Sequence, residues 1–247
     1  MLKRFGTSAL VSLAIGCATQ NKHSEVLPMG KILANRSIDM RGKTITPFIL
    51  YYTVKNLQDM QEGEILEVNT DNFEAIENDM NAWSRMSGHR LLEIETANTY
   101  QRYFIKKINI KKSERKLAMI ISDPGLEKLL SPLGLALSAA LSGTDVYLYF
   151  QGPAVRVLKK NFKAKLGGIQ KPFSSFARKE MAKAGHLPPQ DKLEQLKELG
   201  ARIYICGGSM DPFGVRKSDL IFDDVIIAEY LTFLEIMDSA DIHIFLQ

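Results

Sequence analysis

The chain has 247 residues, 45% of them hydrophobic and 24% charged, an ordinary globular composition with enough length for one large core or two small ones. A formal charge of +4 is only mildly basic, which is not by itself a nucleic-acid signature, and no nucleic-acid partner is expected. Cys17 and Cys206 are the two cysteines, and no C-x-x-C, Cys/His zinc spacing or H-E-x-x-H occurs, so neither a disulfide framework nor a metal site is indicated. A reduced, cytoplasmic setting fits that usage best.

Residues 1–28 stand apart. Lys3 and Arg4 precede a small-residue and apolar run from Phe5 to Gly16, followed by Cys17-Ala18-Thr19-Gln20. These are the parts of a secretory signal. The stretch is too short to span a bilayer as a helix. Ala14-Ile15-Gly16-Cys17 also has the form of a lipoprotein cleavage box, which would tether the chain to a membrane through Cys17. An organelle presequence and an over-long start before Met29 stay open beside it.

The segment 30–110 reads strand, helix, strand, helix, strand, strand. Lys31 to Ile38 is a short strand. Thr46 to Met60 opens on a capping Thr with Pro47 next, and carries Ile49, Leu50, Val54 and Leu57 at helical spacing. Glu64 to Asn69 alternates as a strand. Asp71 or Asn72 caps a helix from Phe73 to Ser87, which Gly88 stops. Leu91 to Glu95 and Tyr100 to Ile108 form an antiparallel hairpin about Ala97-Asn98. Two helices on one small sheet make a two-layer α/β sandwich.

A basic linker from Ile110 to Arg115 leads into the segment 115–247. Lys116 to Ser122, Asp145 to Phe150, Ala201 to Cys206 and Asp241 to Leu246 read as strands. Gly125 to Gly143, Ser174 to Ala184, Gln190 to Leu199 and Ala228 to Ser239 read as helices, with Pro132 bounding or kinking the first. Apolar strands alternating with helices imply a mostly parallel sheet covered on both faces. Residues 161–172 read as loop, and the lysines from Lys159 to Lys171 as a solvated face. Gly167-Gly168 lacks a strand–glycine–helix phosphate pattern, so no cofactor is expected.

Cys206 is the leading candidate for chemistry. It ends the apolar run Ile203-Tyr204-Ile205 and is followed by Gly207-Gly208-Ser209. A thiol at the carboxyl end of a buried strand lies where open α/β sheets place their sites. Amides of Gly207, Gly208 and Ser209 are candidates to support its thiolate, with the Arg216 charge behind them. The opposite reading is a buried structural cysteine.

Segment 115–247 resembles the DsrE/DsrF-like sulfur-carrier family, with its TusD-type members. The likeness rests on Lys116 to Ser122, Pro132 to Ala140, Asp145 to Phe150 and, most specifically, Gly200 to Leu220 with Cys206, Ser209-Met210 and Gly214-Val215. It implies a flavodoxin-like three-layer domain in which the residue at Cys206 carries a persulfide sulfur. Segment 30–110 resembles a TusA/SirA-type domain through Asp39-Met40-Arg41-Gly42, Gly63 to Val68 with Thr70-Asp71, and Trp83 to Leu92. That family's Cys-Pro pair falls near Ile45-Thr46, and neither residue is present, so this unit is expected to dock, oligomerise or regulate. The combined expectation is sulfur trafficking through Cys206 between a persulfide donor protein and an acceptor thiol, in a homo-oligomer. The alternative is a non-catalytic assembly protein.

Overall fold

The computed structural model describes residues 32–97, 99–109, 114–183 and 185–246. The readings made for residues 1–28, including Cys17, and for most of the linker lie outside these residues. The chain from Leu33 onward forms one compact unit, and it contains two sheets.

The first sheet holds β1 (Arg36–Asp39), β2 (Ile65–Asp71), β3 (Arg90–Thr96) and β4 (Tyr100–Lys106) in the order β1-β2-β4-β3. β1 runs parallel to β2, and β4 is antiparallel to both of its neighbours. Helices α1 (Thr46–Gln58) and α2 (Glu74–Ser87) bury Ile49, Leu57, Ile76, Met80 and Trp83 among Leu66, Val68, Tyr103 and Ile105 of the sheet. The helix starts differ from expectation. Ile45 stands at the N-cap of α1 and Phe73 at that of α2, and neither position gives a side-chain cap. Thr46 is instead buried inside α1, so packing and Pro47 in the first turn set the helix start. Gly88 ends α2 at φ +82°, a left-handed geometry that glycine adopts without strain.

The second sheet is fully parallel, in the order β8-β7-β6-β5-β9. Its strands are β5 (Lys116–Ile121), β6 (Asp145–Phe150), β7 (Arg202–Cys206), β8 (Ile226–Ala228) and β9 (Ile242–Leu246). Helices α3 (Leu126–Leu141), α4 (Ser174–Lys183), α5 (Pro189–Glu198), the four-residue α6 (Gly207–Met210) and α7 (Tyr230–Asp238) connect them, with 3-10 turns at Gly152–Leu158, Gly168–Phe173 and Lys217–Asp219. Pro132 neither bounds nor ends α3, which runs through it.

Alternation along the strands divides the core in two. Leu117, Met119, Leu148, Phe150, Ile203 and Ile205 face α3 and α5 in the main core. Ala118, Tyr147, Tyr149, Tyr204, Cys206 and Ala228 face the other way, where Phe233 of α7 covers them. That second face is covered less fully than the sequence implied. Helix α7 buries only Phe233, while Leu231 is 79% exposed and Tyr230, Leu234, Ile226, Ile227 and Phe245 are also open.

Candidate functional site

Cys206 is the last residue of β7 and is only 2% exposed. The period of two that buries Ile203 and Ile205 in the main core turns Tyr204 and Cys206 toward α7. The chain leaves the sheet at once into α6, with Cys206 itself at the N-cap.

The parallel register of β8 on β7 pairs Cys206 with Ala228, so the next residue, Glu229, projects beside the turn. Its Oε1 accepts the Gly208 amide N–H at 2.7 Å, and its Oε2 accepts from the Cys206 thiol at 3.7 Å. Gly207 leaves room for this placement of the Glu229 carboxylate, which a side chain there would displace. A Cβ there would stand 2.9 Å from Glu229 Oε1 and 3.2 Å from Ile227 Cγ2. Ser209 donates its hydroxyl to Cys206 Sγ at 3.1 Å and accepts the Gly152 N–H at 3.0 Å. Four groups thus form one polarised chain, from Gly152 N–H through the Ser209 hydroxyl and the Cys206 thiol to the Glu229 carboxylate. Hydrogen bonds aligned in this way strengthen one another in a low-dielectric setting.

Tyr149 completes the pocket from β6, whose register sets it beside Tyr204. Its ring stacks on Phe233, with centroids 4.8 Å apart. Its hydroxyl is buried and has no hydrogen-bond partner among the described residues. Burial, then the Cys206 thiol, then the Glu229 charge push the Tyr149 pKa well above its ordinary value.

The sequence-derived candidates separate accordingly. Ser209 lies on the sulfur. The Gly208 amide is directed to Glu229 rather than to the thiol. Gly207 contributes room. Arg216 belongs elsewhere: its guanidinium pairs with Asp219 at 3.6 Å, at the mouth of a separate cavity. Glu229 and Tyr149 were not legible as site residues, because β8 is three residues long and its Ile-Ile-Ala run merges into the apolar pattern of α7.

In the first half, Arg41 binds Asp39 through two side-chain hydrogen bonds and one from its backbone N–H, holding that carboxyl down at about 2. Gly42 N–H donates to Asp71 at 2.8 Å, which closes the Asp39-Met40-Arg41-Gly42 loop onto β2. At the start of α1, Ile45 and Phe48 pack against Gly185, whose missing Cβ would meet Phe48 Cγ at 3.5 Å and Ile45 Cβ at 3.6 Å. Among the described residues, no three His, Cys, Asp or Glu side chains gather as a metal site, and no helix is long and apolar enough to cross a membrane.

Comparison with known families agrees with these two sheets. The family model for sulfurtransferase TusA matches residues 36–107. The DsrE/DsrF-like family model matches residues 115–246, more than half of the chain. No curated protein matches it. Both families are tied to sulfur relay, in which sulfur passes between partner proteins, and this connects the chain to sulfur trafficking in general. The chain belongs to the DsrE/DsrF-like family, with a TusA-like unit fused ahead of its DsrE-like half.

Proposed function

We propose that Cys206 accepts sulfane sulfur as a persulfide from a donor protein and relays it to an acceptor thiol. The polarised hydrogen-bond chain through Sγ is the observation that carries this reading. Glu229 receives the thiol proton, and the Ser209 hydroxyl continues to donate to the thiolate that remains. The thiolate attacks the outer sulfur of the donor persulfide. A new S–S bond forms on Cys206, the donor's S–S bond breaks, and the donor leaves as a thiolate. An acceptor thiolate then attacks the outer sulfur and releases Cys206 as a thiolate, with no external oxidant or reductant. The buried Tyr149 hydroxyl, unpaired in the resting site, offers a donor to the added sulfur. An unsatisfied buried hydroxyl costs about 1–3 kcal/mol, which a bound sulfur would relieve in part.

The TusA-like half acts as a docking module without transfer chemistry of its own, since Ile45 stands where that family's cysteine is expected. The exposed apolar side chains of α7 and β8 support assembly into a homo-oligomer or with a relay partner. A reducing cytoplasm suits a free thiol.

The burial of Cys206 favours a second reading, in which the thiol is a packed residue of an assembly protein. Intact mass separates the two. The reduced Cys17→Ser protein, incubated with a persulfide donor, gains sulfur that reductant removes, and the Cys17→Ser/Cys206→Ser protein does not. A Cys17→Ser protein that takes up no sulfur supports the assembly reading.

A further inference from the structure

A basic cavity lies away from Cys206, and none of the Cys206 hydrogen-bond partners lines it. Sites in open α/β sheets form outside the carboxyl ends of the strands. The segments that line this cavity of about 1090 Å³ follow β5, β6 and β7 in the chain. The loop Asp123-Pro124-Gly125 that leaves β5 forms one wall. The volume is at the upper end of what small-molecule sites use.

Its lining is strongly basic. Arg156, Lys159, Lys160, Lys163, Lys165 and Arg216 all border it, against three carboxylates. Those carboxylates accept backbone N–H groups, and Asp219 also pairs with Lys159 at 3.7 Å and with Arg216 at 3.6 Å. Asp123 accepts the Gly125 N–H at 2.7 Å, Glu127 the Gly167 N–H at 3.0 Å, and Asp219 the Arg216 N–H at 3.1 Å. Lys159 and Lys160 donate to the Gly214 and Ser218 carbonyls at 2.7 and 3.2 Å. Lys163 and Lys165 are exposed and form no ion pair among the described residues. Phe162, Leu166 and Pro124 add an apolar surface to the same cavity. An occupant that satisfies both features carries more than one negative charge at one end and a flat apolar group at the other.

We propose that this cavity binds a phosphorylated nucleoside, a nucleotide of diphosphate size. The diphosphate lies against Lys163, Lys165 and Arg216, and the base against Phe162. A single inorganic oxyanion leaves most of the volume empty. A long polyanion has no use for the apolar wall.

Calorimetric titration of the full chain at low salt with ADP, pyrophosphate and adenosine tests the proposal. ADP is expected to bind about tenfold more tightly than pyrophosphate, because the base adds stacking. Adenosine alone is expected to give no measurable binding, and added salt to weaken the ADP complex. Lys163→Glu/Lys165→Glu lowers ADP affinity by about tenfold or more. Arg216→Glu, at a largely exposed position, lowers it independently and guards against a folding defect in the double variant. Equal affinity for ADP and pyrophosphate overturns the nucleotide assignment. So does an ADP affinity that both charge-reversed variants retain, or binding only of single-stranded RNA or an acidic peptide.

Discussion

Trp83 donates its indole N–H to the Leu141 carbonyl oxygen at 2.9 Å, and the two residues come from opposite halves of the chain. Leu141 is the last residue of α3, where backbone carbonyls lack helical partners. The TusA-like half therefore finishes a helix of the DsrE-like half. Tyr51 also joins the two halves, donating its hydroxyl to the side-chain carboxylate of Glu198, the last residue of α5. Trp83→Phe keeps an aromatic ring and removes the donor. It is expected to destabilise the folded chain by about 1–3 kcal/mol, read as a lower urea midpoint with an unchanged slope in circular dichroism. A midpoint equal to wild type contradicts the capping role.

The chain through Cys206 predicts two unlike variants. Ser209→Ala removes the donor to the sulfur and leaves the proton acceptor, so alkylation and sulfur loading slow by about tenfold with the loading stoichiometry retained. Glu229→Gln keeps an oxygen for the Gly208 N–H but is a far weaker base. The loading rate at neutral pH falls by about 100-fold and recovers as pH rises, since solvent base replaces the carboxylate. A flat pH dependence of the difference between Glu229→Gln and wild type excludes Glu229 as the proton acceptor.

Access to the thiol is governed by α7. This helix has nine residues; Phe233 is its one buried side chain, with Ile236 and Met237 packed half-buried beside it. A helix of that length has little stability apart from its packing. Phe233→Ala removes the stacked partner of Tyr149 and is expected to cost about 3–5 kcal/mol. Because Cys206 lies beneath Phe233, its alkylation in native buffer accelerates, about tenfold for each 1.4 kcal/mol by which local opening becomes easier. An unchanged alkylation rate shows that α7 is not the gate.

Much of this was legible in the sequence, for identifiable reasons. Apolar runs such as Asp145–Phe150 and the Ala/Leu-rich α3 have one reading, since few other patterns bury so many side chains. Cys206 stood out because an apolar strand running into two glycines leaves the sheet abruptly. Glu229 was hidden. Its place depends on a three-residue parallel pairing between β7 and β8, and pairing of strands distant in sequence leaves no local period. Arg216 was misplaced for the complementary reason: ten residues along the chain from Cys206, it turns to Asp219 in the next 3-10 turn. The lysines from Lys159 to Lys165 resembled a solvated face, and only the loop path brings them around a shared cavity.

Lys192 supplies a pH test. It is 4% exposed, its ammonium donates to the Leu130 carbonyl at 3.0 Å, and burial lowers its pKa from the ordinary 10.5 to about 8. Below pH 8 the folded and unfolded chains both hold the proton. Above it the unfolded chain still binds a proton that the folded chain has released, so the Lys192 contribution to stability rises between about pH 8 and 10.5. The gain is about 3 kcal/mol at most. Tyr149 and Tyr204, whose pKa values are raised, oppose it above their ordinary 10.0. Lys192→Met should therefore be more stable than wild type at pH 7 and lose the rise between pH 8 and 10, measured by urea unfolding across that range. A parallel rise in the variant excludes Lys192 as its source.

The missing side chain of Gly185 reaches beyond its own loop. It has φ +97° and lies on Ile45 and Phe48, so any other residue there would meet backbone strain, although a Cβ would find only ordinary contact with the two side chains. The start of α1 is thus partly covered by the chain's own second half. A cysteine restored at Ile45 would therefore stand half-buried beside a loop of the second half. The loop at residue 185 thereby joins the TusA-like helix start to the DsrE-like half through a position that favours glycine.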